Sequence, residues 1–269
     1  MAPWQQRDKL WCLEPAGRPR GLIEFIGGSY LAASPQLSYR RLLEALAAQG
    51  WRVHAWSYVP GFDHQAQANQ AWRLFRLSRA GDGALLESAA AARLPVLRLG
   101  HSLGCKLHLL APDGGRRNAA LVALSFNNFS AERSVPLLAE LGQQLRFRSE
   151  FSPSPEQTLS QISATYLQPH NLLVRFSRDG IDQSSRLLGV LKARPGDDST
   201  LLELPGDHLT PASGGLRKQV LGAWADDPAR QRGMERLVGQ ISSWSESRAP
   251  WRGPQLKAPS VQWFQGAWP

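Results

Sequence analysis

The stretch Leu94 to Ala111, L-P-V-L-R-L-G-H-S-L-G-C-K-L-H-L-L-A, constrains this chain more than any other. Val96 to Leu99 make a short apolar run of strand length. The chain then passes through Gly100-His101-Ser102-Leu103-Gly104 and continues with Leu103, Leu107 and Leu110 at helical spacing. That pattern predicts a strand, a sharp turn and a helix. A serine hydroxyl is a poor nucleophile near neutral pH unless it is held clear of its neighbours, beside a base and near N–H donors that can stabilise an oxyanion. In a G-x-S-x-G turn the two glycines leave room for a strained bend with Ser102 at its tip. The following helix then aims its unpaired N–H groups and positive dipole end at the same point. The competing reading is a plain strand-to-helix turn in which the glycines serve packing and Ser102 only N-caps the helix.

Around this stretch the apolar periodicity predicts strands at 9–14 and 21–26, the second ending in Gly27-Gly28-Ser29-Tyr30. A helix over 37–49 is closed by Gly50, a strand covers 51–58, and helical material fills 64–91 with a Gly81-Asp82-Gly83 break. After a turn at 112–115 comes a strand over 119–126. Strand, helix, strand in repetition implies parallel pairing with right-handed crossovers, so the expected class is α/β with a doubly wound, mostly parallel sheet. Residues 127–168 change pattern: an amphipathic helix at Val135 to Leu145, then Ser154 as N-cap, Pro155 at N1 and Gln157 at N3 of another. This reads as a helical cap insertion over the site, or as an ordinary pair of packing helices. Strands at 171–176 and 201–204 both run into polar loops, which is where open α/β sheets bind ligands. The last helix is expected at 230–244, and a Trp/Pro-rich tail at 245–269 could fold back onto the body. One domain accommodates all 269 residues.

Composition narrows the function. Hydrophobic content of 42% with 20% charged residues fits a soluble globular protein. No apolar run is long enough to span a membrane, and the first twenty residues lack the apolar core of a secretory signal, so a cytoplasmic location is expected. The net charge of +9 would favour anionic partners, yet only five of the 31 basic residues are lysine and no block of like charge occurs. Nucleic acid is therefore not an expected partner, while a peripheral membrane-surface contact stays open. Cys12 and Cys105 form no C-x-x-C pattern, and the six histidines form no ligand cluster; no disulfide, metal or cofactor is expected. Cys105 reads as a small buried filler on the helix.

Ser102, an acid, then His208 fall in the chain order of one known hydrolytic constellation. G-H-S-L-G between strand and helix, a late strand ending near Asp179, and G-D-H after the final strand together resemble the α/β-hydrolase superfamily over most of residues 10 to 245. More narrowly, F-I-G-G-S-Y, G-H-S-L-G-C-K, F-S-P-S-P-E-Q-T and F-S-R-D-G-I-D-Q-S resemble the domain-of-unknown-function 1350 family of cyanobacteria and plastids, which carries no transferable activity. The superfamily resemblance implies Ser102 as nucleophile, His208 as base, and Asp179 as the acid with Asp182 as its rival. It implies an oxyanion hole from the backbone N–H of Leu103 and one from Gly28 or Ser29. Ile26-Gly27-Gly28 departs from the His-Gly of many relatives, which leaves that second donor open. His101 is expected beneath the elbow or in the pocket, together with Tyr30; Asp207 is expected to order its loop; His54, His64, His108 and His170 read as structural or surface residues.

The expected activity is that of a serine hydrolase, esterase- or lipase-like, on a small-molecule or lipid-like ester or thioester. The alternatives are a noncatalytic binding or assembly protein on the same fold, perhaps at a membrane surface in a photosynthetic cell, and an enzyme of other chemistry such as a lyase or peroxidase.

Overall fold

Alternation along the strands sets the three layers of this fold. In a computed structural model describing residues 3–85, 94–130, 150–212 and 228–248, eight strands form one sheet: β1 Gln5–Arg7, β2 Leu10–Leu13, β3 Gly21–Ile26, β4 Trp51–Trp56, β5 Val96–His101, β6 Ala120–Leu124, β7 Asn171–Phe176 and β8 Thr200–Leu204. The spatial order is β1-β2-β4-β3-β5-β6-β7-β8. β1 and β2 are antiparallel to their neighbours and all other pairs are parallel.

One face of the sheet carries Ile23, Phe25, Val53, Leu97, Leu99, Val122 and Val174, covered by the helices α2 Arg40–Ala48 and α7 Pro228–Glu246. The other face is covered by α3 His64–Leu85 and α4 Leu103–Leu109, and then by α5 Pro155–Thr165 and α6 Ser184–Lys192. Neighbouring positions on one strand thus point to opposite layers, as the pleat requires. Arg98, within the run expected to be an apolar strand, points into the second layer. There it makes a bidentate pair with Asp113 at 2.9 and 2.8 Å and approaches Glu24 at 3.6 Å, so a buried charge is fully matched.

Several expectations change. The first strand is a hairpin: Asp8 takes a positive φ of 53° and folds Gln5–Arg7 back on Leu10–Leu13. The helix expected over 37–49 breaks at Tyr39, with φ −121° and ψ 20°, into α1 Pro35–Ser38 and α2. α3 continues through Gly81-Asp82-Gly83 to Leu85. α6 is an element that the sequence pattern does not predict. Within the stretch expected as a cap, Ser154 and Gln157 form the anticipated capping box, yet α5 lies against the sheet, burying Leu159 and Ile162 beside Leu121, Leu173 and Leu187. It is a crossover helix between β6 and β7; the helix expected at 135–145 and the tail from 249 fall outside the described residues. No helix among the described residues is long and apolar enough to cross a membrane.

Candidate active site

β5 ends at His101 and α4 begins at Leu103, so Ser102 alone makes the bend, with φ 54° and ψ −121°. Non-glycine residues rarely occupy that region, and such strain persists only where the surroundings enforce it. Here they do: an added Cβ at Gly104 would lie 2.0 Å from the Ile26 carbonyl oxygen, and one at Gly100 would lie 2.6 Å from the Cys105 nitrogen. Both glycines are required by close approach of α4 to β3 and to the end of β5. The Ser102 side chain makes no capping bond to α4, which removes the plain N-cap reading.

Its hydroxyl instead faces a histidine. His208, in the loop after β8, places Nε2 3.1 Å from Ser102 Oγ and Nδ1 2.8 Å from Asp179 Oδ2. A carboxylate only accepts, so Nδ1 carries the proton and Nε2 is free to accept from the serine. Asp179 follows β7 directly and its side chain is fully buried. Burial alone would raise its pKa, but the hydrogen bond and charge of His208 and the Ile181 N–H hold it below the usual carboxylate value. Asp182, the rival acid, turns the other way: it accepts from the Ser184 backbone at 2.9 Å and the Ser184 hydroxyl at 2.8 Å, ordering the start of α6. Burial raises its pKa. Asp207 accepts from Leu209 N and from Arg230 and so orders its loop, as expected.

His101 lies beneath the bend, 1% exposed. Its Nε2 is 2.8 Å from the His208 carbonyl oxygen and its Nδ1 is 2.7 Å from the Tyr39 hydroxyl, which in turn accepts from Gly28 N at 2.8 Å. The carbonyl can only accept, so Nε2 donates, Nδ1 accepts from Tyr39, and every member of the relay is satisfied. Burial, with the neighbouring His208 charge, lowers the His101 pKa to about 3, so the ring is neutral. The Gly28 N–H, one of the two expected donors on this loop, donates to the Tyr39 hydroxyl. Gly28 is needed for another reason: a Cβ there would meet Ser102 Cβ at 3.0 Å.

A cleft of about 340 Å³ opens over Ser102 and is lined by Ser29, Leu103 and His208, by Asn128 and Phe151, and by His64 and Lys106. Tyr30 lines it too, 81% exposed at the mouth. His64, expected to be structural or superficial, is buried in the cleft wall against Phe151, with ring centroids 4.3 Å apart. The sequence offered no signal for Tyr39 or His64. It did offer one for Lys106, which lies four residues after Ser102 on the same side of α4. Cys105 is fully buried, its thiol donating to Leu124 O and pushed up by burial, so it is no competing nucleophile. His54 and His108 are buried against Ser78 and the Leu99 carbonyl, and His170 pairs with Asp198 away from the cleft. Among the described residues no three His, Cys, Asp or Glu side chains stand together as metal ligands.

The profile of a family described as a protein of unknown function (DUF1350) matches residues 3–229. No sequence among curated proteins matches. Among solved structures, the Est2 esterase of Thermogutta terrifontis, with butyrate bound, superposes with a TM-score of 0.57 at 17% identity over 90% of both chains. The monoacylglycerol lipase of Paleococcus ferrophilus gives 0.54 at 16% identity, covering 87% of this chain and 99% of that one. The thioesterase domain from the curacin biosynthetic pathway gives 0.52 at 12% identity, covering 89% and 98%. The fold is that of the α/β-hydrolases.

Proposed function

This chain belongs to the DUF1350 family of proteins of unknown function, and from the Asp179, His208 and Ser102 geometry we propose that it is a serine hydrolase acting on a small carboxylic ester or thioester. The observation that carries the reading is the continuous chain of 2.8 and 3.1 Å contacts from a buried carboxylate, through one imidazole, to a serine held at positive φ. Fold neighbours that are esterases, a lipase and a thioesterase support the reaction class without fixing it.

In this reading Ser102 Oγ attacks the carbonyl carbon as its proton passes to His208 Nε2. Asp179 holds the imidazole in the required tautomer and balances the imidazolium. The oxyanion is met by the Leu103 N–H, at the first position of α4 where helices leave N–H groups without an intrahelical partner, and by the Ser29 N–H, since the Gly28 N–H donates to Tyr39. His208 then protonates the departing alkoxide or thiolate, leaving acyl-Ser102. Water attacks the acyl carbon, gives its proton to His208, and the acid departs as Ser102 recovers that proton. The cleft volume of about 340 Å³ suits a small or medium acyl group.

Treatment with a fluorophosphonate probe, followed by mass-spectrometric location of the adduct, tests the reading. A single adduct on Ser102, absent in Ser102→Ala and strongly slowed in His208→Ala, is expected. A protein that takes up no probe while correctly folded would be a binding protein on this fold.

A further inference from the structure

Lys106 and His64 both line the cleft and both lie against the Phe151 ring, with no role in the hydrolytic steps above. Lys106 is 1% exposed and lines the same cavity as Ser102, one helical turn further along α4. Its ammonium donates to the Pro153 carbonyl at 3.1 Å and lies 6.0 Å from the Phe151 ring centroid. Among the described residues no carboxylate pairs with it, and one carbonyl satisfies one of three N–H donors. Burial lowers its pKa to about 8, against the opposing field of Glu150, so it is predominantly charged at neutral pH. His64, 3% exposed, buries an Nδ1 atom without a partner among the described residues. Burial first and Lys106 second push its pKa to about 3, so it is a neutral ring able to donate one hydrogen bond.

A buried ammonium with no carboxylate paired to it among the described residues is costly unless something in the working protein supplies the negative charge. Its opening is onto the space a substrate occupies. We propose that the ester substrate carries a carboxylate, on its acyl or alcohol portion, which binds between the Lys106 ammonium and His64 inside the cleft. One cation beside a neutral donor matches a single negative charge better than a dianion. The apolar wall from Phe151 holds the connecting chain. The inference rests on the hydrolase reading for its substrate, but the anion site itself can be measured apart from turnover.

Two 4-methylumbelliferyl esters with six-carbon acyl chains, the hexanoate and the adipate half-ester, separate the cases. The intact protein should favour the adipate half-ester in kcat/KM by about tenfold or more, and Lys106→Met and Lys106→Gln should each reduce that ratio by about 10- to 100-fold. Calorimetric titration of monomethyl adipate into Ser102→Ala should show binding that falls at least tenfold when Lys106→Gln is added. Equal or better turnover of the hexanoate by the intact protein, a comparison needing no variant, overturns the inference and leaves the hydrolase reading standing. So does binding that survives loss of Lys106. Lysine-dependent binding of monomethyl adipate with no hydrolysis of either ester would retain the anion site and overturn the hydrolase reading instead.

Discussion

Replacing Tyr39 with phenylalanine removes one oxygen atom and leaves the ring that packs edge-on to Phe25 at 4.6 Å, so no sizeable cavity opens. What is lost is the centre of the relay. The Tyr39 hydroxyl accepts from Gly28 N at 2.8 Å and donates to His101 Nδ1 at 2.7 Å, and it is fully buried. Tyr39→Phe therefore strands one backbone donor and one imidazole acceptor. At about 1–2 kcal/mol for each buried group left unsatisfied, the expected loss is about 3 kcal/mol of folding stability. For a domain of this size that corresponds to a fall in melting temperature of roughly 6–12 °C. Guanidinium unfolding followed by tryptophan fluorescence reads it as a lower midpoint at unchanged slope. Turnover should fall as well, because His101 would lose the partner that fixes its tautomer beneath His208. A change below about 0.5 kcal/mol, the usual range for an inconsequential substitution, would refute the claim that this relay is a connected network.

Asp179→Asn should reduce kcat by about three to four orders of magnitude, since an amide can hold His208 in the wrong tautomer; Asp182→Asn should leave turnover near the starting value while costing about 1 kcal/mol at the start of α6, and the reverse ranking would exchange their roles. Acid should destabilise the fold early. His64, His101 and His108 are each lowered from 6.5 to about 3, chiefly by burial, so the unfolded chain takes up protons below pH about 6.5 that the folded one refuses. Stability is complete above that pH and is lost as pH falls, at up to roughly 4 kcal/mol per unit for the three rings together; an unfolding midpoint that stays flat from pH 7 to 5 would contradict it. Gly104→Ala should prevent accumulation of folded protein, whereas Gly189→Ala, in α6 with open space around it, should raise stability by about 0.5–1 kcal/mol; thermal melts of the two variants distinguish them.

How legible each part was in the sequence follows the range of the forces involved. The bend at Ser102 is specified locally, because a strand-to-helix turn this tight excludes Cβ atoms at 100 and 104, and glycine at both positions records that. Asp179 and Asp182 could be ranked by distance from the end of β7, although only the Ser184 contacts show why the second is occupied elsewhere. The break of the helix at Tyr39 was invisible. Apolar spacing over 37–49 runs through it without interruption, and what breaks it is a side chain reaching across to Gly28 and His101, 11 and 62 residues away. The same long-range contact takes up the Gly28 N–H. Arg98 passed as part of an apolar run because its matching charges sit on β3 and after α4. The hairpin at 5–13 turns on a positive φ at Asp8, which an aspartate tolerates without advertising.

His208 is gripped twice by β5 and its turn, through its ring to Ser102 and through its main-chain oxygen to His101. The loop that carries it cannot drift without tearing a bond to the central strand. What freedom remains to the imidazole is rotation about its own two torsions, a picosecond-to-nanosecond event, in place of the microsecond-to-millisecond excursions by which mobile loops bring their residues to a site. Proton hand-over would then be ready whenever a substrate arrives. Nuclear relaxation dispersion at the His208 amide should be correspondingly silent, with any slow exchange confined to the mouth of the cleft.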